Sequence, residues 1–360
     1  MKFVIAGGGT GGHLYPGIAI ARELLKEPGN EVLFVGTAQG IEARVLPREG
    51  LPVQFISVGK LKGMGLMTKI KTMLEVPWSI FQSMRILRKT RPDVVIGVGG
   101  YASGPVGAAA LGRRTPLIII EPNSYAGFSN RELGRYANRI VLCFPGTGAQ
   151  RFFPAERTVA LGPLVRQGID EGDRDAALAA FGLEQGRFTV FAMGGSGGAH
   201  AINMAMKAGV ALLKELARVQ VLHQTGEQDV AEVTDAYRAA GVKAAVLPYI
   251  HDMAGAYAAA DLVVARSGAT TIAELAVCGK RAVLIPFPFA ADNHQEHNAR
   301  TLAERGQAEV IIQKDLTPEL LAGVIQRAID KGSETGPVPR MENTAAREIV
   351  RICKDHVQKD

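Results

Sequence analysis

A few short stretches of this 360-residue chain bring together side chains and backbone that can do chemistry. The first is Gly7-Gly8-Gly9-Thr10-Gly11-Gly12-His13, a glycine turn with an imidazole directly behind it. An unperturbed imidazole, with a pKa of ~6.5, is partly neutral near neutral pH and can take a proton from a hydroxyl. The same histidine can instead cap or position the loop, and the residues alone leave both roles open. Two further glycine turns follow apolar runs, Gly97-Val98-Gly99-Gly100-Tyr101-Ala102-Ser103-Gly104 and Gly194–Gly198. Each presents backbone N–H groups beside the positive end of a helix, which suits an anion. Such a turn, taken singly, can equally be a tight strand-to-helix connection with no ligand.

Gly7-x-Gly9-x-x-Gly12 satisfies the dinucleotide pattern, which also requires an acid at the end of the second strand to hold a ribose. That strand ends Phe34-Val35-Gly36-Thr37 without one, which counts against a nicotinamide or flavin enzyme. No turn ends in Gly-Lys-Ser/Thr, so a P-loop is excluded. In the second half, Arg266-Ser267-Gly268-Ala269-Thr270-Thr271-Ile272-Ala273-Glu274 opens a helix with small and hydroxyl residues. Its N–H groups suit a diphosphate, and Glu274 suits the two hydroxyls of a ribose or, alternatively, a solvated helix face. Asp292-Asn293-His294-Gln295-Glu296-His297-Asn298 is rich in groups that bond sugar hydroxyls. His294 and His297 stand three apart with Asp292 near, but the sequence places no third strong ligand beside them. Asp173-Arg174-Asp175 begins a helix, where acids complement the dipole. The reading is of no catalytic metal and no cofactor.

These residues need a scaffold, and the periodicity supplies one. Strands are expected at Phe3–Ala6, Glu31–Val35, Val53–Ser57, Val94–Val98, Leu117–Ile120 and Ile140–Cys143. After Gly162-Pro163 they resume at Thr189–Met193, Gln220–Gln224, Lys243–Leu247, Leu262–Ala265, Ala282–Ile285 and Ala308–Ile311. Strands alternating with helical stretches specify α/β architecture with parallel sheets. The glycine loop after the first strand is echoed after Thr189–Met193, so the chain reads as two similar halves. The expected division is 1–162 together with a C-terminal helix in 341–360, and 163–340. The fold class is α/β, two doubly wound, Rossmann-like domains facing a cleft.

Composition narrows the class further. At 47% hydrophobic and 21% charged, the chain is neither disordered nor membrane-embedded. Cys143, Cys278 and Cys353 are isolated and odd in number, which fits a reducing compartment better than a disulfide framework. The start runs into Gly7 too soon for a signal peptide, and no window has the length of a membrane span, so a soluble protein is expected. The net charge of +6 is local. Segment 60–91 holds eight basic residues (Lys60, Lys62, Lys69, Lys71, Arg85, Arg88, Lys89, Arg91) against Glu75, so it alone carries +7 and the remainder sums to −1. It also contains Trp78 and, at helical spacing, Leu66, Ile70, Met73, Leu74, Ile80, Phe81, Met84 and Leu87, with Met64 and Met67 nearby. Two readings stand, an amphipathic helix on an anionic membrane or a helix packing its apolar stripe into the core. Nucleic acid is disfavoured, because no stacking aromatics are interleaved with the cations.

Taken together and in order, Gly7–Gly17, Gly99-Gly100-Tyr101-Ala102-Ser103-Gly104-Pro105, Gly194-Gly195-Ser196 and Arg266-Ser267-Gly268-Ala269 resemble the MurG family over nearly the whole chain. The resemblance implies a GT-B fold and transfer of GlcNAc from UDP-GlcNAc to the MurNAc 4-hydroxyl of lipid I, with inversion, giving lipid II for peptidoglycan. It implies His13 as the base, with Thr10, Gly11 and Gly12 near the donor sugar and diphosphate. Asn123, Gln295 and Asn298 would bind GlcNAc hydroxyls, and Arg166 and Ser196 the diphosphate. The Ile250 backbone would read uracil. Ala269, Thr270, Thr271, Ile272, Ala273 and Glu274 would form the ribose–phosphate helix. With a lipid-linked acceptor implied, the membrane reading of segment 60–91 outweighs the core reading, and the location implied is peripheral, on the cytoplasmic face of the bacterial inner membrane. The chain departs from the family pattern at Pro122 and Gly197, where glutamine is frequent. The competing readings are a GT-B enzyme with another lipid or soluble acceptor, a membrane scaffold with a vestigial sugar site, and an oxidoreductase. Nothing in the sequence sets an oligomeric state.

Overall fold

The computed structural model describes residues 1–58, 66–195, 197–332, 336 and 338–357, with the side chains of 66–74 left out. Lys60, Lys62, Met64 and Ser196 therefore lie outside the described residues, as do the side chains of Leu66, Met67, Lys69, Ile70, Lys71, Met73 and Leu74. The chain forms two compact units, Met1–Arg166 with Glu342–Asp360, and Gln167–Met341. Residues 163–166, expected in the second half, are part of the first.

Unit 1 is built on seven parallel strands in the order β3-β2-β1-β4-β5-β6-β7. They are β1 (Lys2–Ala6), β2 (Glu31–Gly36), β3 (Val53–Phe55), β4 (Val94–Gly97), β5 (Leu117–Glu121), β6 (Arg139–Leu142) and β7 (Thr158–Ala160). Every residue of β4 and β5 is buried, which is why both read as unbroken apolar runs rather than alternating ones. The sequence reading missed β7. It is a three-residue edge strand paired only to β6, too short and too exposed to leave a hydrophobic signature.

Helix α1 (Gly11–Leu24) follows β1, α2 (Glu42–Arg48) follows β2 and α3 (Leu66–Thr90) follows β3. Helix α4 (Ser103–Gly112) follows β4 and α5 (Phe128–Gly134) follows β5. The described part of α3 answers which face is turned inward. Ser79, Ser83 and Leu87 are fully buried, whereas Trp78 (54%) and Phe81 (57%) are exposed, as is Met84. The inner serines bond back to carbonyls one turn earlier, Ser79 to Glu75 and Ser83 to Ser79, so no hydroxyl is left unsatisfied. Small inward residues let α3 lie close on α4, itself rich in Ala and Gly. Trp78, Phe81 and Met84 are therefore not core residues, and Trp78 stacks on Phe81 with ring centroids 5.5 Å apart.

Unit 2 repeats the plan with six parallel strands, β10-β9-β8-β11-β12-β13. They are β8 (Phe188–Met193), β9 (Val219–Gln224), β10 (Lys243–Leu247), β11 (Leu262–Ala265), β12 (Arg281–Leu284) and β13 (Ala308–Val310). Its helices are α6 (Arg174–Ala180), α7 (His200–Val210), α8 (Val230–Ala239), α9 (Met253–Ala259), α10 (Ala269–Cys278), α11 (His294–Glu304) and α12 (Pro318–Lys331). Asp173 caps α6, its side chain accepting from the Ala176 N–H at 2.7 Å. A final helix, α13 (Ala345–Val357), belongs to unit 1. It buries Ala346, Ile349, Val350 and Cys353, packs on α1 and pairs Lys354 with Glu27.

In both sheets the strand order reverses beside the first strand, between β1 and β4 and between β8 and β11. At such a switch point the loops leaving the strands' carboxyl ends diverge and open a crevice. All three glycine turns, and the start of α10, leave strands at these two places.

Candidate active site

In unit 1 the turns after β1 and β4 are in direct contact. A Cβ added to Gly100 would lie 2.3 Å from the Gly8 carbonyl oxygen, so only glycine permits the approach. Ser103, fully buried, donates its hydroxyl proton to the Ala6 carbonyl at 2.6 Å and accepts the Gly99 N–H at 3.0 Å. Thr10 stands in extended conformation at the head of α1, and its carbonyl receives the N–H groups of His13 and Leu14. Gly11 and Gly12 are the first two residues of the helix.

The His13 ring meets the second turn. Its Nδ1 lies 3.0 Å from the Val98 carbonyl oxygen. A carbonyl only accepts, so Nδ1 holds the proton and Nε2 carries the lone pair. Gly99, at φ +91°, makes room for the ring, since a Cβ there would stand 2.8 Å from Nδ1. The structure thus fixes the tautomer that a base at Nε2 requires.

Asn123 is positioned by a residue that the sequence reading passed over. Glu121 ends β5 fully buried, and its carboxylate accepts from the Asn123 N–H (3.0 Å) and Nδ2 (3.2 Å), the Gly127 N–H (2.9 Å) and Asn130 Nδ2 (2.9 Å). Burial pushes its pKa up, and the four hydrogen bonds act the other way. An acid closing an all-apolar strand was the available signal. Asn130 also lies against Gly99, so Asn123 is linked to the His13 turn through Glu121 and Asn130. Arg166 ends unit 1, its guanidinium 5.0 Å from the centre of the Tyr15 ring. It belongs with the first glycine turn and not, as the expected division had it, to the second domain.

In unit 2 the residues singled out around α10 converge. Gly268 caps the helix, and Ala269, Thr270, Thr271, Ile272 and Ala273 form its opening turns at the end of β11. Glu274 is only 3% exposed, and its Oε2 accepts the Tyr257 hydroxyl at 2.9 Å. It is therefore no solvated surface glutamate. Gln295 and Asn298 meet at Ser267, whose hydroxyl donates to the Gln295 carbonyl (2.7 Å) and whose own carbonyl accepts Asn298 Nδ2 (3.1 Å). The Gln295 side chain accepts the Phe287 N–H at 3.0 Å. Ile250, buried, follows β10 at the same end of the sheet, flanked by the edge-on rings of Tyr249 and His251.

The Gly194–Gly198 turn is braced from behind. Gln224 Nε2 donates to the Gly195 carbonyl at 2.7 Å, and a Cβ on Gly198 would strike the Thr225 carbonyl oxygen. Beneath lies a buried polar chain. Asn203 Nδ2 donates to the Thr225 carbonyl (2.8 Å) and to Asp229 (2.7 Å), which leaves its Oδ1 to accept from His223 Nε2 at 3.1 Å. The Tyr237 hydroxyl then donates to His223 Nδ1 at 2.9 Å. His223 is neutral, because burial pulls its pKa down to about 3 against the opposing pull of Asp229. Among the described residues no group of three His, Cys, Asp or Glu is placed to hold a metal ion.

Residues 3–142 match the glycosyltransferase family 28 N-terminal domain and residues 189–355 the family 28 C-terminal domain. A UDP-N-acetylglucosamine–N-acetylmuramyl-(pentapeptide) pyrophosphoryl-undecaprenol N-acetylglucosamine transferase from Anaeromyxobacter sp. (strain Fw109-5) is 45% identical, the match covering 100% of this chain and 94% of the relative. The enzyme of the same name from Thermodesulfovibrio yellowstonii is 44% identical over 92% of this chain and 90% of the relative. The crystal structure of Acinetobacter baumannii MurG superposes with a TM-score of 0.74 at 30% identity, covering 99% of this chain and 100% of that one. An S. aureus MnaA–UDP structure, at 15% identity and a TM-score of 0.68 over 99% of this chain and 97% of that one, shares the fold alone. Matched from end to end by relatives of that name and carrying both family 28 domains, the chain belongs to the MurG family of N-acetylglucosamine transferases.

Proposed function

We propose that the protein transfers GlcNAc from UDP-GlcNAc to the MurNAc 4-hydroxyl of lipid I, with inversion, and that it works against an anionic membrane surface. The observation that carries the reading is the match, over the whole chain, to relatives named for that transfer. The site chemistry supports it. His13 Nε2 takes the proton of the acceptor hydroxyl as that oxygen bonds to the anomeric carbon and the bond to UDP breaks. The Nδ1–H bond to Val98 stays in place while the ring becomes imidazolium. Glu274 holds the ribose, Ile250 reads the uracil through its backbone, and Asn123, Gln295 and Asn298 bond the GlcNAc hydroxyls, with Thr10, Gly11 and Gly12 close to the sugar. The α10 N-terminus, Ala269–Ala273, offsets the charge that grows on the departing diphosphate, and Arg166 supplies a cation for it.

Unit 1 is the acceptor and membrane side in this reading, and unit 2 the donor side. No helix among the described residues is long and apolar enough to cross a membrane. Contact is assigned instead to α3, where exposed Trp78, Phe81 and Met84 stand among Arg85, Arg88 and Lys89. This fits a peripheral enzyme on the cytoplasmic face. The test incubates the purified full chain with labelled UDP-GlcNAc and a panel of acceptors that includes a lipid I analogue and lipids lacking MurNAc. Label in a 4-linked disaccharide on the lipid I analogue is expected. Label reaching only acceptors without MurNAc overturns the reading.

A further inference from the structure

Glu42, at the start of α2, is a fully buried acid outside the site described above. Its Oε2 accepts the Gly9 N–H at 2.7 Å. Its Oε1 accepts both the N–H (2.8 Å) and the hydroxyl (2.9 Å) of Thr37. All three donors are neutral, and the geometry is that of an anion held in a cradle of N–H and O–H groups. Glycines from two separate turns enclose it. A Cβ on Gly8, Gly36 or Gly40 would stand 2.4, 2.5 or 2.1 Å from the Glu42 side chain, so each position is glycine because the acid fills the space a side chain would need.

We infer that the anion site of the first glycine turn is occupied by the chain's own Glu42, an internal ligand, and that Glu42 is a positioning residue for Thr10 and His13. A glycine turn after the first strand normally offers its N–H groups to a phosphate. Here Gly9 spends its N–H on a carboxylate, and any diphosphate brought to that point meets a buried negative charge. This explains in physical terms why Gly7-x-Gly9-x-x-Gly12 is not a dinucleotide site. It also places Glu42 one peptide from Thr10, whose carbonyl holds the His13 N–H. The carboxylate therefore sets the direction in which α1 starts and the position from which the imidazole works.

The consequence for turnover rests on His13 being the base, and the experiment separates the two claims. Glu42→Gln keeps the side chain's shape, but whichever way its amide turns, one backbone N–H of Gly9 or Thr37 faces a donor. In the full chain this variant is expected to lose roughly ten- to hundredfold in kcat, the scale of a catalytic group displaced by about 1 Å. Its affinity for UDP should remain close to that of the parent, and the one buried N–H left without an acceptor should lower its unfolding midpoint only modestly. Glu42→Ala opens the cradle, and formate is expected to restore part of its lost turnover while doing nothing for His13→Ala. Parental kcat in Glu42→Gln overturns the inference. So does a loss shared equally by kcat, UDP affinity and stability, because that marks a general folding role. A folded Glu42→Ala that ignores formate overturns it as well, and if that variant does not fold, Glu42→Gln decides alone. If His13→Ala turns over normally while Glu42→Gln does not, the base assignment fails and the self-occupied cradle stands.

Discussion

His13 can serve as a base because its other nitrogen is already engaged, and the partner that engages it, the Val98 carbonyl, lies 85 residues further along the chain. The glycine turn and its imidazole were readable in the sequence as a unit. The tautomer was not, because it is set by a contact that exists only once β1 and β4 lie side by side. Glu274 shows the same division. A helical glutamate reads as solvated until Tyr257 of α9 covers it. Glu42 left no such trace, since a carboxylate near glycines has no periodicity of its own and one of its donors, the Gly9 N–H, lies 33 residues away, whereas Glu121 was marked only as an acid closing an apolar strand. The two proposed roles are separable by kinetics. His13→Ala should lower kcat by roughly 10²–10⁴-fold with UDP affinity within about twofold of the parent. Glu274→Ala should weaken UDP binding by about ten- to hundredfold, since it leaves ribose hydroxyls and the Tyr257 hydroxyl without their acceptor. Steady-state kinetics and UDP calorimetry on the same preparations check both. Normal turnover in the first variant, or normal affinity in the second, removes that residue from its role.

At the scale of elements, periodicity located every strand except β7 but did not say which face of α3 turns inward. Hydrophobicity alone left two readings open, its large apolar residues in the core or on a membrane surface. The structure buries Ser79 and Ser83 beside Leu87 and leaves Trp78, Phe81 and Met84 outside, the small serines letting α3 lie close on α4. An amphipathic helix whose bulky face is outward and flanked by cations is suited to a charged lipid surface. Near such a surface each Lys or Arg contributes about 1 kcal/mol. Reversing Arg85 and Arg88 to Glu should therefore cut binding to vesicles rich in anionic lipid by tenfold or more, on the order of two such contributions. Trp78→Ala should weaken it further, and UDP affinity should not change in either variant. Vesicle binding that survives the charge reversal makes the helix ordinary surface.

For the molecule as a whole, the repeated strand order of the two units was legible in the echo of the glycine turns, since each half solves the same problem of covering both faces of a parallel sheet. The polar chain inside unit 2 was not, although it sets how stability responds to pH. The folded-state pKa of His223, about 3, lies below the ordinary value of ~6.5, so the unfolded chain binds the extra proton between those limits. Its contribution is thus complete above pH ~6.5 and is lost as pH falls toward about 3, with a slope approaching 1.4 kcal/mol per pH unit. Raised by burial, the Glu121 pKa acts in the opposite sense, with stability lost as pH rises through the folded-state value. Comparing urea unfolding of the parent with His223→Gln between about pH 4.5 and 6.5 isolates the histidine, and the variant's curve should be the flatter. Parallel curves would mean that His223 titrates normally.

Unit 2 is one uninterrupted piece of chain, whereas unit 1 is made from both ends, with α13 lying on α1. That arrangement imposes an order on biosynthesis. As the chain leaves the ribosome, the second unit has all its residues while the first still waits for its last helix. A released polypeptide ending just before Ala345 has every residue of the half containing Glu274 but leaves the half containing His13 with α1 uncovered. The half containing His13 is therefore the last to close, and it closes only once α13 has been made.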